Sequence, residues 1–109
     1  DLAFSQATAR EVRSRWQAVL MQAPRQGVLD DFRLCQRLDL RTKLNRLRIP
    51  TLIIGGTDDL LVSPEQLTET QQAIPGAELT LIPSAGHLVM LEQPTAFVNR
   101  LKQFLAAVA

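Results

Sequence analysis

The spacing of apolar residues changes near Ile49 and Pro50, and this change divides the chain in two. Before it, apolar side chains recur at helical spacing, and no stretch alternates as a half-buried strand does. Pro24 and Gly27 separate the first two predicted helices. The apolar positions are Ala9, Val12, Trp16, Val19 and Leu20 in the first helix, Val28, Phe32, Cys35 and Leu38 in the second, and Leu40, Leu44 and Leu47 in the third.

Beyond this division, short apolar runs replace the helical spacing. Residues 51–54 form a continuous apolar run ended by the glycines at 55–56, as in a strand buried on both faces. A serine followed by a proline predicts a helix over 63–74, because serine caps helices and proline favours their first turn. A second strand is predicted over 77–82, and a final helix begins at 93–94.

The predicted order β-α-β-α has two consequences for the sheet. Strands separated by a single helix run parallel and are joined by a right-handed crossover. Parallel sheets have several strands and are covered on both faces, so two such strands do not form a stable sheet alone. We therefore expect an incomplete sheet, whose further strands lie upstream, in another chain or in a second copy.

Composition narrows the classes of partner. Hydrophobic residues make up 46% of the 109 residues, and 12 basic residues nearly balance 11 acidic ones. This balance gives no electrostatic reason to expect nucleic acid or a membrane as a partner. Cys35, the only cysteine, cannot form an internal disulfide, which fits a reducing, cytoplasmic compartment.

The start of the chain and its hydropathy bear on targeting. No apolar run approaches the roughly 20 residues that span a bilayer. The first residues lack the charged and apolar blocks of a signal peptide, and the chain does not begin with Met. From this we expect a piece of a longer protein.

Candidate chemistry follows each predicted strand. Asp58 and Asp59 come after the first strand, and His87, the only histidine, comes after the second. Functional groups of open parallel sheets collect beyond the carboxyl ends of the strands, so we expect an acid and the histidine to meet there. A carboxylate that accepts a hydrogen bond from one imidazole nitrogen leaves the other free to take a proton from a nucleophile.

Residues 49–107 resemble the C-terminal part of the α/β-hydrolase family. The matching stretches are IPTLIIGGTDDLLVSPE and IPGAELTLIPSAGHLVMLEQPTAFVNRLKQFL. The resemblance implies that Asp59 is the family acid, three residues after Gly56, and that His87, within a Gly-His step, is the family histidine. It also implies an α/β fold in which residues 49–109 are the β-α-β-α part of the core. Residues 1–48 resemble the helical cap and its return to the core.

The chain departs from the family where the nucleophile should stand. The G-x-S-x-G elbow is absent, no serine lies between glycines, and Cys35 lies in a predicted helix. We therefore expect a C-terminal fragment that supplies acid and histidine, is inactive alone, and lacks an upstream nucleophile. The resemblance implies a small-molecule substrate with an ester, lactone, thioester or related acyl bond, and no metal or cofactor. The family also contains dehalogenases, peptidases, haloperoxidases and carbon–carbon hydrolases.

Several residues have competing interpretations. Asp58 competes with Asp59 as the acid, although shaping the loop suits Asp58 better. Glu92 is interpreted as an acid in the first turn of a helix, where a negative charge is favourable, and not as a catalytic carboxylate. Trp16 and Met21 suit either an acyl pocket or packing of the cap, whereas packing is favoured for two residues after the histidine, Leu88 and Met90.

A different class of function also fits the chain. A two-stranded sheet exposes its edges, so the chain could be an interaction module without catalysis that assembles through such an edge. On either interpretation we expect a homo-oligomer or pairing with the missing N-terminal half.

Overall fold

A computed structural model of the protein describes residues 2–109. The elements follow one another along the chain as α1 (Arg10–Leu20), α2 (Arg25–Arg37), α3 (Arg41–Leu44), β1 (Leu52–Gly56), α4 (Pro64–Ala73), β2 (Glu78–Ile82), α5 (Val89–Glu92) and α6 (Pro94–Val108). The predicted α/β class is confirmed: helices come first, and a β-α-β-α unit follows.

The two strands form a parallel sheet in the order β1-β2, as predicted. Leu52 pairs with Glu78, and the register continues to Gly56 opposite Ile82. The glycines at 55–56 are the last two residues of β1, so the strand ends at them, as predicted. Gly56 is required there, because a Cβ on it would lie 2.0 Å from the carbonyl oxygen of Ala85. The end of β1 therefore packs directly against the loop after β2.

Helix α4 begins as the sequence predicts. The Ser63 hydroxyl accepts a hydrogen bond from the Gln66 N–H (3.3 Å), and the Gln66 side chain accepts one from the Ser63 N–H (2.9 Å). This reciprocal capping satisfies two backbone donors that the first turn would otherwise leave unpaired. The helix ends at Ala73, one residue before the predicted end, and packs on both strands.

The described core lies between the sheet and the helices that follow it. Ile82, Ala85 and Val89 are buried together, and Ile54 and Phe97 pack against them. Ala85 and Val89 flank the segment that carries His87, so this loop is anchored in the core on both sides. Helix α6 packs on β2, where the Arg100 guanidinium donates to Glu78 and to the Thr80 hydroxyl.

The first three helices pack far less closely. None of α1, α2 and α3 contains a buried residue, and Met21 is 85% exposed and Phe32 65%. The helical character predicted for this part is confirmed, but Gly27 lies inside α2, and α3 ends before Leu47. The assignment of 1–48 to a cap and 49–109 to a core stays a prediction.

Candidate active site

The loops that follow β1 and β2 lie against each other at the carboxyl edge of the sheet. The Thr57 N–H donates to the Ile82 carbonyl (3.0 Å), and the Asp58 N–H donates to the Ala85 carbonyl (2.9 Å). These bonds join the two loops directly beyond the ends of the paired strands. Acid and histidine, 28 positions apart in the sequence, therefore meet at one place.

Asp59 and His87 form a hydrogen-bonded pair at this edge. The distance from His87 Nδ1 to Asp59 Oδ2 is 2.9 Å. An ionised carboxylate only accepts hydrogen bonds, so Nδ1 carries the proton, and the neutral ring keeps its lone pair on Nε2. The Asp59 side chain is 5% exposed and that of His87 is 41% exposed. The buried acid thus orients a ring that is itself partly exposed.

The protein holds Asp59 in its charged form. Burial raises the pKa of this carboxyl, but hydrogen bonds from the Val62 N–H, His87 and the Leu61 N–H together outweigh that effect and lower the pKa. The two backbone donors both point at Oδ1, at 2.8 Å from Leu61 and 3.0 Å from Val62. They fix the carboxylate so that Oδ2 is left for the histidine.

Asp58 has different partners. Its Oδ2 accepts a hydrogen bond from the Ser5 hydroxyl at 2.5 Å, and its Oδ1 accepts one from the Thr57 hydroxyl at 2.8 Å. These two hydroxyl donors, Ser5 first, lower the pKa of Asp58. Of the two competing acids, Asp59 therefore contacts the imidazole, while Asp58 joins its loop to the N-terminal segment.

Glu92 has more contacts than the sequence predicted. It is the last residue of the four-residue helix α5, so it is an acid in the first turn of a helix, as predicted. Its Oε1 accepts hydrogen bonds from the Ser5 N–H (2.7 Å) and the Thr8 hydroxyl (2.5 Å). Its Oε2 accepts from the Gly86 N–H (2.9 Å) and the Leu88 N–H (3.1 Å). The sequence gives no local signal for these contacts.

Known proteins are similar to this chain in fold and in sequence. The family described as alpha/beta hydrolase fold matches residues 6–94. The chain belongs to the α/β-hydrolase family. A proline iminopeptidase of Lactiplantibacillus plantarum is 36% identical over 81 residues, 74% of this chain and 26% of that protein. A pimeloyl-[acyl-carrier protein] methyl ester esterase of Nitrosomonas europaea is 36% identical over 68 residues, 62% of this chain and 27% of that protein.

A solved structure extends the likeness beyond the core. A hydrolase from Pseudomonas aeruginosa is 35% identical with a TM-score of 0.83, and the match covers 89% of this chain and 36% of that one. The α/β-hydrolase chain thus spans about a quarter of the length of its curated relatives. Residues of the predicted cap region are included in the matched part, because so much of the chain is covered.

The serines and the cysteine of this α/β-hydrolase chain are not placed as nucleophiles. Ser5 is buried with its hydroxyl bonded to Asp58, and Ser63 caps α4. Ser14 lies on an exposed face of α1, Cys35 is exposed on α2, and Ser84 adopts a positive φ of 55° in the turn after β2. Within residues 2–109, the hydrogen bond of the His87 ring goes to Asp59 alone.

An apolar cleft lies between α1 and α5. Val12, Trp16, Val19 and Leu91 line it, with Arg15, and its volume is about 330 Å³. Met21 lines a separate surface depression, so Trp16 and Met21 do not share one pocket. After the histidine, Val89 is the buried residue, whereas Met90 is 45% exposed, contrary to the packing predicted for it.

Across residues 2–109, no three His, Cys, Asp or Glu side chains come together as the ligands of a metal ion would. Over the same residues, no helix has both the length and the apolar character needed to cross a bilayer.

Proposed function

We propose that this chain supplies the general base and the orienting acid of an α/β-hydrolase that cleaves ester, lactone, thioester or related acyl bonds. The observation that supports the proposal most strongly is the hydrogen bond between Asp59 Oδ2 and His87 Nδ1, with Nε2 of the same ring unengaged in the described residues. A histidine held in this tautomer accepts a proton at Nε2. The nucleophile in this proposal is a serine outside the 109 residues.

The steps follow from the position of each group. As the serine oxygen attacks the acyl carbon, its proton passes to His87 Nε2, and the buried Asp59 carboxylate stabilises the imidazolium. The imidazolium then protonates the leaving group, and an acyl-enzyme remains. In the second half, His87 takes a proton from water, which attacks the acyl-enzyme, and returns that proton to the serine. Donors for the oxyanion come from outside the described residues.

The acyl group has a place to bind in this proposal. Trp16 of α1 and Leu91 of α5 both line the apolar cleft, and α5 directly follows the histidine loop. The names of the relatives include a methyl ester esterase and an iminopeptidase, so more than one leaving group occurs among them. We place the acyl portion of a small-molecule substrate in this cleft, because its lining is apolar.

The partner in this proposal is the N-terminal half of the hydrolase. Ile49 is 67% exposed and Leu60 is 70% exposed, next to a sheet of two strands with unpaired edges. Strands from the missing half would pair with such an edge and cover these side chains. A homo-oligomer is the alternative, and sedimentation of the complete protein distinguishes the two. We propose the cytoplasm as the compartment, supported by the exposed Cys35.

Turnover by the complete protein tests the proposed function. Substrates are p-nitrophenyl acetate, a lactone, a thioester and a proline p-nitroanilide, which compare ester-type bonds with an amide. In His87→Ala, kcat should fall by at least about 1,000-fold on the best substrate, with the melting temperature nearly unchanged. The isolated 109 residues should show no turnover. Full activity of His87→Ala, or a catalytic burst from the isolated chain, would contradict the proposal.

A further inference from the structure

We propose that Glu92 is a positioning residue, which sets His87 against Asp59 by binding the histidine loop to the N-terminal segment Ala3–Thr8. This segment is called the strap below. The proposal rests on the proposed function, since it explains how the catalytic pair is held in place.

The Glu92 carboxylate contacts both sides of His87. Oε2 accepts hydrogen bonds from the Gly86 and Leu88 N–H groups, which belong to the residues immediately before and after the histidine. A single oxygen thus fixes the backbone of His87 from both directions. Backbone fixed in this way restricts the orientation of the ring, because it fixes the position of Cα and the backbone φ and ψ limit the allowed χ1 rotamers.

The strap binds the other oxygen of the same carboxylate. Oε1 accepts hydrogen bonds from the Ser5 N–H and the Thr8 hydroxyl. The strap also reaches the histidine directly, since the His87 N–H donates to the Ala3 carbonyl at 2.9 Å. Three consecutive N–H groups of the histidine loop are therefore satisfied by Glu92 and the strap together.

The strap also binds the loop that carries the acid. The Ser5 hydroxyl donates to Asp58, the residue immediately before Asp59. The Arg13 guanidinium in turn donates to the carbonyl groups of Ser5 (2.6 Å) and Thr8 (3.1 Å), which anchors the strap to α1. One short segment is thus hydrogen-bonded to both catalytic loops.

Packing shows that this arrangement has little freedom. Ser5 is 2% exposed, Phe4 3% and Ala85 0%. A Cβ on Gly86 would lie 2.7 Å from the Ser5 nitrogen and 2.9 Å from the Ala3 carbonyl oxygen. The strap and the histidine loop are in van der Waals contact along their backbones, so a change at Glu92 is transmitted to His87.

Glu92→Gln preserves the shape of the side chain but not its hydrogen bonds. A carboxylate presents acceptors on both sides, whereas an amide presents one oxygen and one NH₂ group. Whichever way the amide turns, its NH₂ faces at least one backbone N–H that had a partner, and that donor stays unsatisfied. The loop must then shift to restore a hydrogen bond, and a shift near 1 Å costs up to about 100-fold in rate.

The experiment uses the complete protein and three readouts: kcat with KM, the melting temperature, and the downfield proton resonance of His87 Nδ1–H, assigned by its loss in His87→Gln. For Glu92→Gln we expect kcat to be about 10- to 100-fold lower, KM to be nearly unchanged, and the resonance to broaden through faster exchange with water. The matched control is Glu69→Gln, at an exposed position of α4, which removes the same charge and should leave all three readouts unchanged.

The outcomes separate this proposal from the proposed function. Unchanged kcat and an unchanged resonance in Glu92→Gln, with His87→Ala inactive, overturn the positioning role alone. An active His87→Ala overturns the proposed function, while the resonance of Glu92→Gln still tests whether Glu92 positions His87. If Glu92→Gln does not fold, Thr8→Val and Thr8→Ser decide. A lower kcat in Thr8→Val with near-normal kcat in Thr8→Ser supports the role of Glu92, and equal kcat values contradict it.

Discussion

Asp59→Asn is the substitution whose consequence the structure defines best. The backbone N–H groups of Leu61 and Val62 both donate to Oδ1 of the carboxylate. In the variant, these two donors hold the amide oxygen at the Oδ1 position, so the NH₂ group takes the place of Oδ2 beside His87. An NH₂ group donates to Nδ1, which forces the ring proton onto Nε2. The ring then has no lone pair where the nucleophile's proton must go.

The size of the effect follows from this change of tautomer. Loss of the orienting carboxylate in a serine-protease triad lowers kcat by about 10,000-fold with the geometry intact. At 1.36 kcal/mol for each factor of ten, this corresponds to about 5 kcal/mol of transition-state stabilisation. We expect a loss of that order here, because the Asp59 side chain is 5% exposed and water does not replace its contact with the ring.

The assay compares kcat/KM of the complete protein with those of Asp59→Asn and Asp58→Asn, on the best acyl substrate. Asp58→Asn is the matched control, because the Ser5 and Thr57 hydroxyls that it contacts can rotate to suit an amide. It should lose less than about tenfold. The reasoning is refuted if Asp59→Asn keeps activity within tenfold of the parent while His87→Ala is inactive, or if Asp58→Asn is the more damaging change.

Three further predictions concern stability, measured by urea denaturation of the complete protein. Gly56→Ala should lower the free energy of unfolding by about 1–3 kcal/mol, because its Cβ would meet the Ala85 carbonyl. Gly27→Ala, whose Cβ would have nothing within 4 Å, should raise the free energy of unfolding by about 0.5–1 kcal/mol, because alanine favours the helix α2. Equal effects would contradict the close approach of β1 to the histidine loop. Ser63→Ala should lower the free energy of unfolding by about 1 kcal/mol, because α4 loses its N-cap. An unchanged free energy of unfolding would show that this cap does not stabilise the protein. The lowered pKa of Asp59 contributes stability that is complete above its unfolded pKa of about 3.9 and is lost as the pH falls through the folded pKa. In Asp59→Asn, the free energy of unfolding should therefore fall less steeply as the pH is lowered through this range.

The two strands, α4 and α6 were predictable because their signals are local. The apolar run before Gly56 and the Ser63-Pro64 start each act over a few residues, and the strands and α4 lie within a residue or two of their predicted bounds. The meeting of acid and histidine was predictable for a different reason. Parallel strands end at the same edge, so residues that follow two neighbouring strands come together whatever their separation in sequence.

The contacts of the strap were not predictable, because they join distant parts of the chain. Ser5 and Glu92 are 87 positions apart, and Ser5 and Asp58 are 53 apart. Neither pair belongs to a motif or a repeating pattern. The four-residue α5, which ends at Glu92, is too short to show a helical period, so the sequence did not predict this helix.

The apolar faces of the first three helices were predicted, but their exposure was not. Spacing shows which side of a helix is apolar, and it does not show what covers that side. Phe32 on α2 and Leu38 at its end are 65% and 55% exposed, although they are large and apolar. Their cover, in our proposal, belongs to the remainder of the hydrolase, which a pattern within this chain cannot reveal.

Covalent labelling tests the central claim most directly. The complete protein and its His87→Ala variant are treated with a fluorophosphonate, and the modified residue is located by mass spectrometry. We predict one adduct, on a serine outside these 109 residues, and a labelling rate at least about 1,000-fold lower in His87→Ala. An adduct on Ser5, Ser14, Ser63 or Ser84, or an equal rate in the two proteins, would contradict the account.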